Sequence, residues 1–456
     1  MCYNKNRLSI ALLICLIVVP ACNKESVFSY EEQQTLVSDN NLPLKKLAQS
    51  KNSLTAEDAA TVILLSRQIP GTRSSSALIR NVVPISGDDG EPLLYAVNLD
   101  KGFTLVSAFK TSPPILAEVP NGIYAPSEED ASLDFIVKQI ALNVKKHKSD
   151  TLSNEMKSLW FQYEESTVPD MINTRSYSTI WDAIGAYVQM WTQNGLDYYY
   201  LYNQPPGLSN SEYAQLCYDA SCYERDGYNY MDYSFITREV VNTTLQKGPY
   251  LSTTWGRSYP YYPSSPGSYK VETVSVGQLM RYYENPNTYS WYLMPNHQIN
   301  TDSPNAQLTW LLSSVESALV SLQSLGQTKP NSIKNYLNSY YYCSINSHNI
   351  SNVISSLNNH NPLIMTGEDS SGTTFSWCCD GYQKQDYHTE FYVWYLADSA
   401  YPDFDYERGD GVYNSQTTIY YCHLNWGNNG SNDGWFELSH IDYSNNMKNI
   451  IITGNK

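Results

Sequence analysis

The stretch His423-Leu424-Asn425-Trp426-Gly427, running on to Ser431-Asn432-Asp433-Gly434-Trp435-Phe436, decides how this chain folds. It joins two strand-like runs, Thr417 to Leu424 and Trp435 to Leu438. Further runs of the same kind precede it at Leu363 to Thr366, Phe375 to Cys379 and Glu390 to Leu396. Before them the apolar residues recur at helical spacing, from Val274 to Tyr283, Ala306 to Leu325, Ser332 to Tyr340 and near Asn352 to Leu357. Helices first and strands afterwards read as an α+β unit. Its chemistry is expected where the first helix meets the sheet.

The N-terminal part carries a second, smaller α+β pattern. Thr55-Ala56-Glu57-Asp58 is a capping box opening an apolar helix through Leu65. Leu93 to Leu99 and Phe103 to Val106 flank Asp100-Lys101-Gly102, a hairpin signal in which glycine supplies a positive φ. Leu133, Ile136, Val137, Ile140, Ala141 and Val144 then form one helical stripe, with Lys138, Lys145 and Lys146 off it. Between the two units, residues 167–247 are rich in Tyr, Asn and Ser and read as a partly helical connector. Its tyrosines are read first as half-buried packing residues and second as a stacking surface for sugar or peptide.

At 456 residues the chain is long for one compact domain. Its 42% hydrophobic content is enough to bury real cores, so it is not a disordered tail. Only 16% of residues are charged, against about a quarter in globular chains, so the surface is polar through hydroxyls and amides. The net charge of −16 argues against nucleic acid, which needs clustered Lys and Arg.

Lys5 and Arg7 precede an apolar run from Leu8 to Ala21, the length of a signal-peptide core and too short to span a membrane. The run ends in Val19-Pro20-Ala21-Cys22, the pattern of a bacterial lipoprotein signal in which Cys22 takes the lipid and becomes the new N-terminus. An ordinary signal peptide with an incidental cysteine is the alternative. The small residue before Cys22 and the polar Asn23-Lys24-Glu25 favour the lipoprotein. Processing removes two positive charges and no acid, which takes the net charge from −16 to −18. The expected home is the cell envelope, on the outer membrane or cell surface, with a lipid anchor as the membrane partner.

Six cysteines remain after Cys22: Cys217, Cys222, Cys343, Cys378, Cys379 and Cys422. An exported compartment permits disulfides, and Cys217 with Cys222 could close a small loop, but spacing alone leaves the pairing open. No cysteine pair has a zinc-ribbon partner and the seven histidines are scattered, so neither a metal nor a cofactor is expected.

The C-terminal unit resembles the streptopain family of cysteine peptidases, whose fold is papain-like. Five elements in the family's order carry the resemblance. They are Trp255-Gly256 with Tyr259-Pro260-Tyr261; Gln278-Leu279-Met280-Arg281-Tyr282-Tyr283; Asn361-Pro362-Leu363; Cys379-Asp380-Gly381-Tyr382; and the stretch quoted at the outset. The N-terminal unit resembles the family's inhibitory prodomain, through Pro92 to Asn98, Gly102 to Ala108 and Pro114 to Ala117. The resemblance implies a signal peptide at 1–21, a tether at 22–52, a prodomain-like module at 53–166, the connector at 167–247 and a papain-like domain at 248–456.

The chemistry departs from the family. The position of its nucleophilic cysteine, seven residues before Gln278, holds Val271. The position of its histidine base, five residues before Asp380, holds Phe375. The family's oxyanion glutamine matches Arg257, which keeps hydrogen-bond donors in a different shape. Asn425 and Trp426 match the residue that orients the histidine and its neighbour, while the family's second tryptophan matches Asn428. An isopropyl group cannot attack a carbonyl and a phenyl ring cannot take a proton. Lys270 is the other strong chemical group beside Val271. His388 is the nearest downstream histidine on a strand-like run, Ser275 and Thr273 are hydroxyls without an obvious base, and Cys378 and Cys379 read as packing thiols or disulfide halves.

A double loss at the nucleophile and the base costs many orders of magnitude in rate, so proteolysis is not expected. The leading reading is a lipid-anchored pseudopeptidase that binds a peptide, protein or glycan in a preformed groove. The alternatives are an active cysteine endopeptidase made as a zymogen, and an inhibitor of a related peptidase acting through the prodomain-like module.

Overall fold

The computed structural model describes residues 46–48, 50–67, 78–125, 130–164, 184–185, 187–189, 191, 196–205, 207–221, 234–398, 405–413, 417–439 and 447–456. The signal segment, Cys22 and Cys222 lie outside the described residues. The fold is α+β, as the order of helical and strand-like patterns implied.

Helix α1 (Ala56–Ser66) starts at the expected capping box: the Thr55 side chain accepts from the Asp58 N–H, and the Asp58 carboxylate accepts from the Thr55 N–H at 2.7 Å. Four strands follow: β1 (Ile79–Ser86), β2 (Pro92–Leu99), β3 (Phe103–Ser107) and β4 (Ile115–Val119). The β2–β3 turn uses Gly102 at φ +78°, and any side chain there would collide with the Val119 carbonyl. Helix α2 (Ala131–His147) buries the whole stripe from Leu133 to Val144. Each of its larger aliphatic members contributes roughly 2 kcal/mol by leaving water. Helix α3 (Asn154–Phe161) closes the unit, and Glu164 just beyond it forms a buried ion pair with Lys110 at 2.5 Å.

Among its described residues, the segment read as a connector is helical only in part. It contains β5 (Asp197–Tyr200), α4 (Asn210–Ser221) and the 13-residue β6 (Phe235–Lys247). Next come α5 (Val271–Tyr283), a short 3₁₀ turn at Trp291–Leu293, α6 (Ala306–Ser324) and α7 (Lys329–Leu337). These are followed by β7 (Tyr341–Ser347), α8 (Ile350–Asn358) and β8 (Leu363–Glu368). The chain ends in β9 (Thr374–Asp398), β10 (Asp405–Tyr413), β11 (Thr417–Asn425), β12 (Gly434–Glu437) and β13 (Lys448–Asn455).

Two strand-like runs in the sequence, at 375–379 and 390–396, are one continuous strand of 25 residues. The polar segment between them is held in the strand by β6, which pairs with β9 from Phe235↔Trp394 to Lys247↔Tyr382. A backbone ladder needs no apolar side chains, so alternation in the sequence did not show it.

Among the described residues thirteen strands share one sheet, ordered β1-β2-β3-β4-β12-β11-β9-β8-β13-β7, with β10 and the β5–β6 pair added on β9. The join between the β1–β4 sheet and the rest is β4 against β12, through Trp435↔Glu118 and Phe436↔Ala117. One hydrophobic core crosses that join, uniting Phe135 and Ile136 with Trp377, Trp426, Phe436 and Leu438. A second packs α5, α6 and α7 on Ile364, Cys378, Ile450 and Ile452. Two smaller clusters lie around α4, β5 and the far half of β9. The turn from β11 to β12 places Gly427, Asn429, Gly430 and Asn432 at positive φ, which explains its Gly and Asn content.

Candidate functional site

Val271 is the first residue of α5, the helix start where a thiolate would gain from the exposed N–H groups. That favourable position is taken by a carboxylate. Glu316 of α6 accepts from the Lys270 N–H at 3.4 Å and, more closely, from the Thr273 hydroxyl. The Ser275 hydroxyl donates to the Val271 carbonyl at 3.1 Å, a bond within its own helix. The Ser275 hydroxyl is thus bonded to backbone, and the Thr273 hydroxyl is held by the Glu316 carboxylate. Glu272 is buried and meets Lys329 at 3.7 Å, while Lys329 also donates to the Thr374 carbonyl at 2.7 Å. This bridge from α5 to the strand of Phe375 has no counterpart among the residues singled out from sequence.

Phe375 lies on β9 opposite Gly367 of β8. Its ring stacks on Phe135 of α2, with centroids 4.9 Å apart and planes at 22°. A Cβ on Gly367 would lie 2.3 Å from the Phe135 ring, so that ring rests on bare backbone. Phe135 also sits 6.0 Å from Trp377. Polar contacts surround this plug. Asp130, at the head of α2, accepts from Asn428 Nδ2 at 2.7 Å and from Asn432 Nδ2 at 3.1 Å, and the Ser132 hydroxyl donates to the Ser376 carbonyl at 3.3 Å. Asn428, where the resemblance led one to expect tryptophan, therefore serves as a tie to the N-terminal module.

Asn425 is engaged elsewhere than with an imidazole. Its Oδ1 accepts from Gln278 Nε2 and from the Gly427 N–H, both at 3.0 Å, and its Nδ2 donates to the Thr253 carbonyl at 3.1 Å. Gln278 Oε1 in turn accepts from the Trp255 N–H at 3.0 Å. Three of the sequence elements are thus one buried amide network joining α5, the 251–256 segment and the end of β11. Trp426 donates through Nε1 to the Asn432 carbonyl at 2.7 Å, and its N–H meets Asp433 Oδ1 at 2.9 Å. Arg257 is half-buried in the loop after Trp255, and its carbonyl accepts from the Tyr269 N–H at 3.0 Å.

The reserve candidates are dispersed. His388 is 13 residues along β9 from Phe375, about 40 Å at strand rise, and pairs with Glu390 at 3.1 Å; it cannot swing to the helix start. Cys378 is fully buried and donates to the Ser275 carbonyl at 3.3 Å; burial pushes its thiol well above the usual range, so it packs rather than reacts. Cys379 is equally buried.

Sequence reasoning missed a charged cluster inside the quoted elements. His423 Nδ1 lies 2.6 Å from Asp380 Oδ1, and its ring meets Trp435 edge-on at 5.0 Å. Asp380 Oδ2 accepts from the Leu251 N–H at 3.1 Å. Burial pulls the imidazole pKa down, but the charge and hydrogen bond of Asp380 outweigh it and the net shift is upward. Burial raises Asp433 to about 7, despite the Trp426 N–H and the neighbouring His423. The two partners are 43 residues apart in sequence, and nothing in their spacing signals the pair. Among the described residues no three His, Cys, Asp or Glu side chains gather as a ligand set, and no helix is long and apolar enough to cross a membrane.

No protein-family model and no curated protein matches the chain. Among solved structures, the chain is similar to a prointerpain A fragment from Prevotella intermedia, determined as a cysteine-to-alanine variant, at 14% identity and a TM-score of 0.39. The alignment covers 78% of this chain and 94% of that one.

Proposed function

We propose that this chain is a cell-envelope lipoprotein built on a streptopain-type, papain-like scaffold, and that it binds without cutting. The observation that carries the reading is the paired substitution in its setting. Val271 heads a helix whose start is claimed by Glu316, and Phe375 is stacked under Phe135 of the chain's own N-terminal module. Such a centre has neither nucleophile nor proton carrier, and the space beside it is filled.

The filled space changes where a ligand would sit. With α2 seated, the groove offers no open floor at Phe375, so a peptide, protein or glycan would meet outer surfaces. Exposed aromatic side chains support that placement: Tyr292 is 83% and Trp310 50% exposed, and Trp310 lies tilted at 55° against Tyr289, with centroids 4.9 Å apart. The lipid on Cys22 would hold this surface at the membrane. The inhibitory reading is less favoured, because the face of α2 that would enter another peptidase is already spent on Phe375 and Trp377.

The test is incubation of the purified full-length chain with a denatured protein substrate, with and without prior thiol alkylation. No cleavage above the alkylated control is expected. Thiol-dependent cleavage would establish the zymogen reading instead.

A further inference from the structure

Strand β6 is 13 residues long, and its whole length pairs with β9, from Phe235↔Trp394 to Lys247↔Tyr382, without a register shift. On its other edge β5 covers only Phe235 to Arg238, through Tyr200↔Phe235 to Asp197↔Arg238. Among the described residues no strand pairs with that edge from Glu239 to Lys247. Beyond Lys247 the strand ends at Gly248, whose φ of +77° turns the chain away.

One bond fixes the direction of the backbone groups along this edge. The Leu201 N–H donates to the Ser234 carbonyl at 3.1 Å, so the peptide groups of Ser234 face β5. Such groups alternate between the two edges of a strand. Since no shift interrupts β6, the backbone groups of Val240, Asn242, Thr244 and Gln246 also face that side. Natural sheets guard an edge of this kind with proline, lysine or a bulge. Here the stretch from Glu239 to Lys247 has neither proline nor bulge, and its one lysine stands at the end. Residues 242–246 are exposed, and Leu245 shows 49% of its surface.

The edge is complementary to itself. Laid antiparallel on a second copy about Thr243, Asn242 meets Thr244 and Val240 meets Gln246, so outward backbone groups meet outward backbone groups and exchange hydrogen bonds. In the same register Glu239 faces Lys247, Val241 faces Leu245 and Thr243 faces itself. Within one chain neither Glu239 nor Lys247 has an ion-pair partner among the described residues. A slip of two residues either way keeps the ladder but sets Lys247 against Thr237 or Val241, and Glu239 against Leu245 or Pro249. The open stretch also has the right length. The partner's strand ends opposite Glu239, just short of Arg238, where β5 begins to cover the edge.

We propose that two copies of this chain pair through the outer edge of β6, antiparallel about Thr243, so that the sheet of one protomer continues into the next. The contact is isologous: each protomer offers the same strand, and the symmetry closes at two. Opposite charges, aliphatic pairs and threonine pairs facing each other across such a ladder all favour it. The inference rests on the ladder and stands apart from the binding reading above.

The experiment places single cysteines in the full-length chain and exposes each variant to a mild oxidant, with the parent alongside as the control for the native cysteines. Residues facing each other at a position without ladder bonds lie close enough for a disulfide. Thr243→Cys is therefore expected to give a covalent dimer on a non-reducing gel, in several-fold higher yield than Thr244→Cys, which faces Asn242 of the other copy. Sedimentation of the parent should give twice the mass of one chain. Thr244→Pro removes an N–H that points outward and no bond to β9, so it should keep the circular dichroism of the parent and sediment as a monomer. Lys247→Glu should weaken the dimer several-fold, and Glu239→Lys added to it should restore the parent's association. A parent that sediments as a monomer, alone or with another protein's segment bound at this edge, would overturn the proposal. So would a Thr243→Cys chain no more cross-linked than Thr244→Cys, or a dimer that survives Thr244→Pro.

Discussion

Two neighbouring regions of the molecule are built in opposite ways. The amide network of Trp255, Gln278 and Asn425, with Trp426 bonded beside it, is hydrogen-bonded throughout. Val271 and Phe375, by contrast, are apolar, and Phe375 is stacked under a phenyl ring from another part of the chain. The difference teaches that the network's persistence needs no catalytic explanation. Removing any of its members strands a buried donor or acceptor, which costs about 1–3 kcal/mol each time. Val271 and Phe375 carry no polar side-chain group and make no such demand on their neighbours.

The largest expected effect breaks the apolar side of this comparison. Phe135→Ala removes the ring between Phe375 and the bare backbone of Gly367, and should cost about 4 kcal/mol in urea-induced unfolding. A cost below about 1 kcal/mol would mean that the ring does not close the site. Next, Asn425→Ala attacks the polar side. It orphans groups of Gln278, Thr253 and Gly427 and should cost roughly 3 kcal/mol, with the thiol-dependent hydrolysis signal still at background.

The third effect concerns pH and sharpens what the missed cluster does. Asp433 and His423 both hold protons more tightly in the folded chain than in the unfolded one. Their contribution to stability is therefore present at acid pH and lost as pH rises. For Asp433 the loss runs from the ordinary carboxylate range up to about 7, and for His423 it runs upward from the ordinary imidazole value. Asp433→Asn should flatten the fall in stability between about pH 4 and 7, measured as unfolding midpoints across a buffer series. An unchanged slope would remove Asp433 from the account. The smallest effect belongs to Ser275→Ala, which deletes only a bond back to the Val271 carbonyl and should stay within about 1 kcal/mol of the parent.

Much of the fold was legible because it obeys local rules. The Thr55 capping box, the Gly102 turn and the α2 stripe each lie within a few residues of sequence, and each appears where those rules place it. The helix that Val271 heads was legible too, from the apolar spacing that follows it. What the sequence hid is long-range pairing. β6 and the middle of β9 support each other through backbone ladders that leave no apolar alternation. The Phe135–Phe375 stack joins residues 240 apart, and a phenylalanine in a helical stripe signals burial without naming its partner. The Asp380–His423 contact depends on a register shift that no periodicity reports.

The central claim is that the N-terminal module is a fixed part of the fold, packed over the Phe375 position. Native-state amide hydrogen exchange tests it most directly, by comparing α2 (residues 131–147) with β8 and the first residues of β9 (363–379). The shared core predicts that both open in the same cooperative event, with matching protection in the full-length chain. Rapid exchange of α2 while β8 and β9 remain protected would contradict the claim, and would describe a module that lifts off an otherwise intact domain.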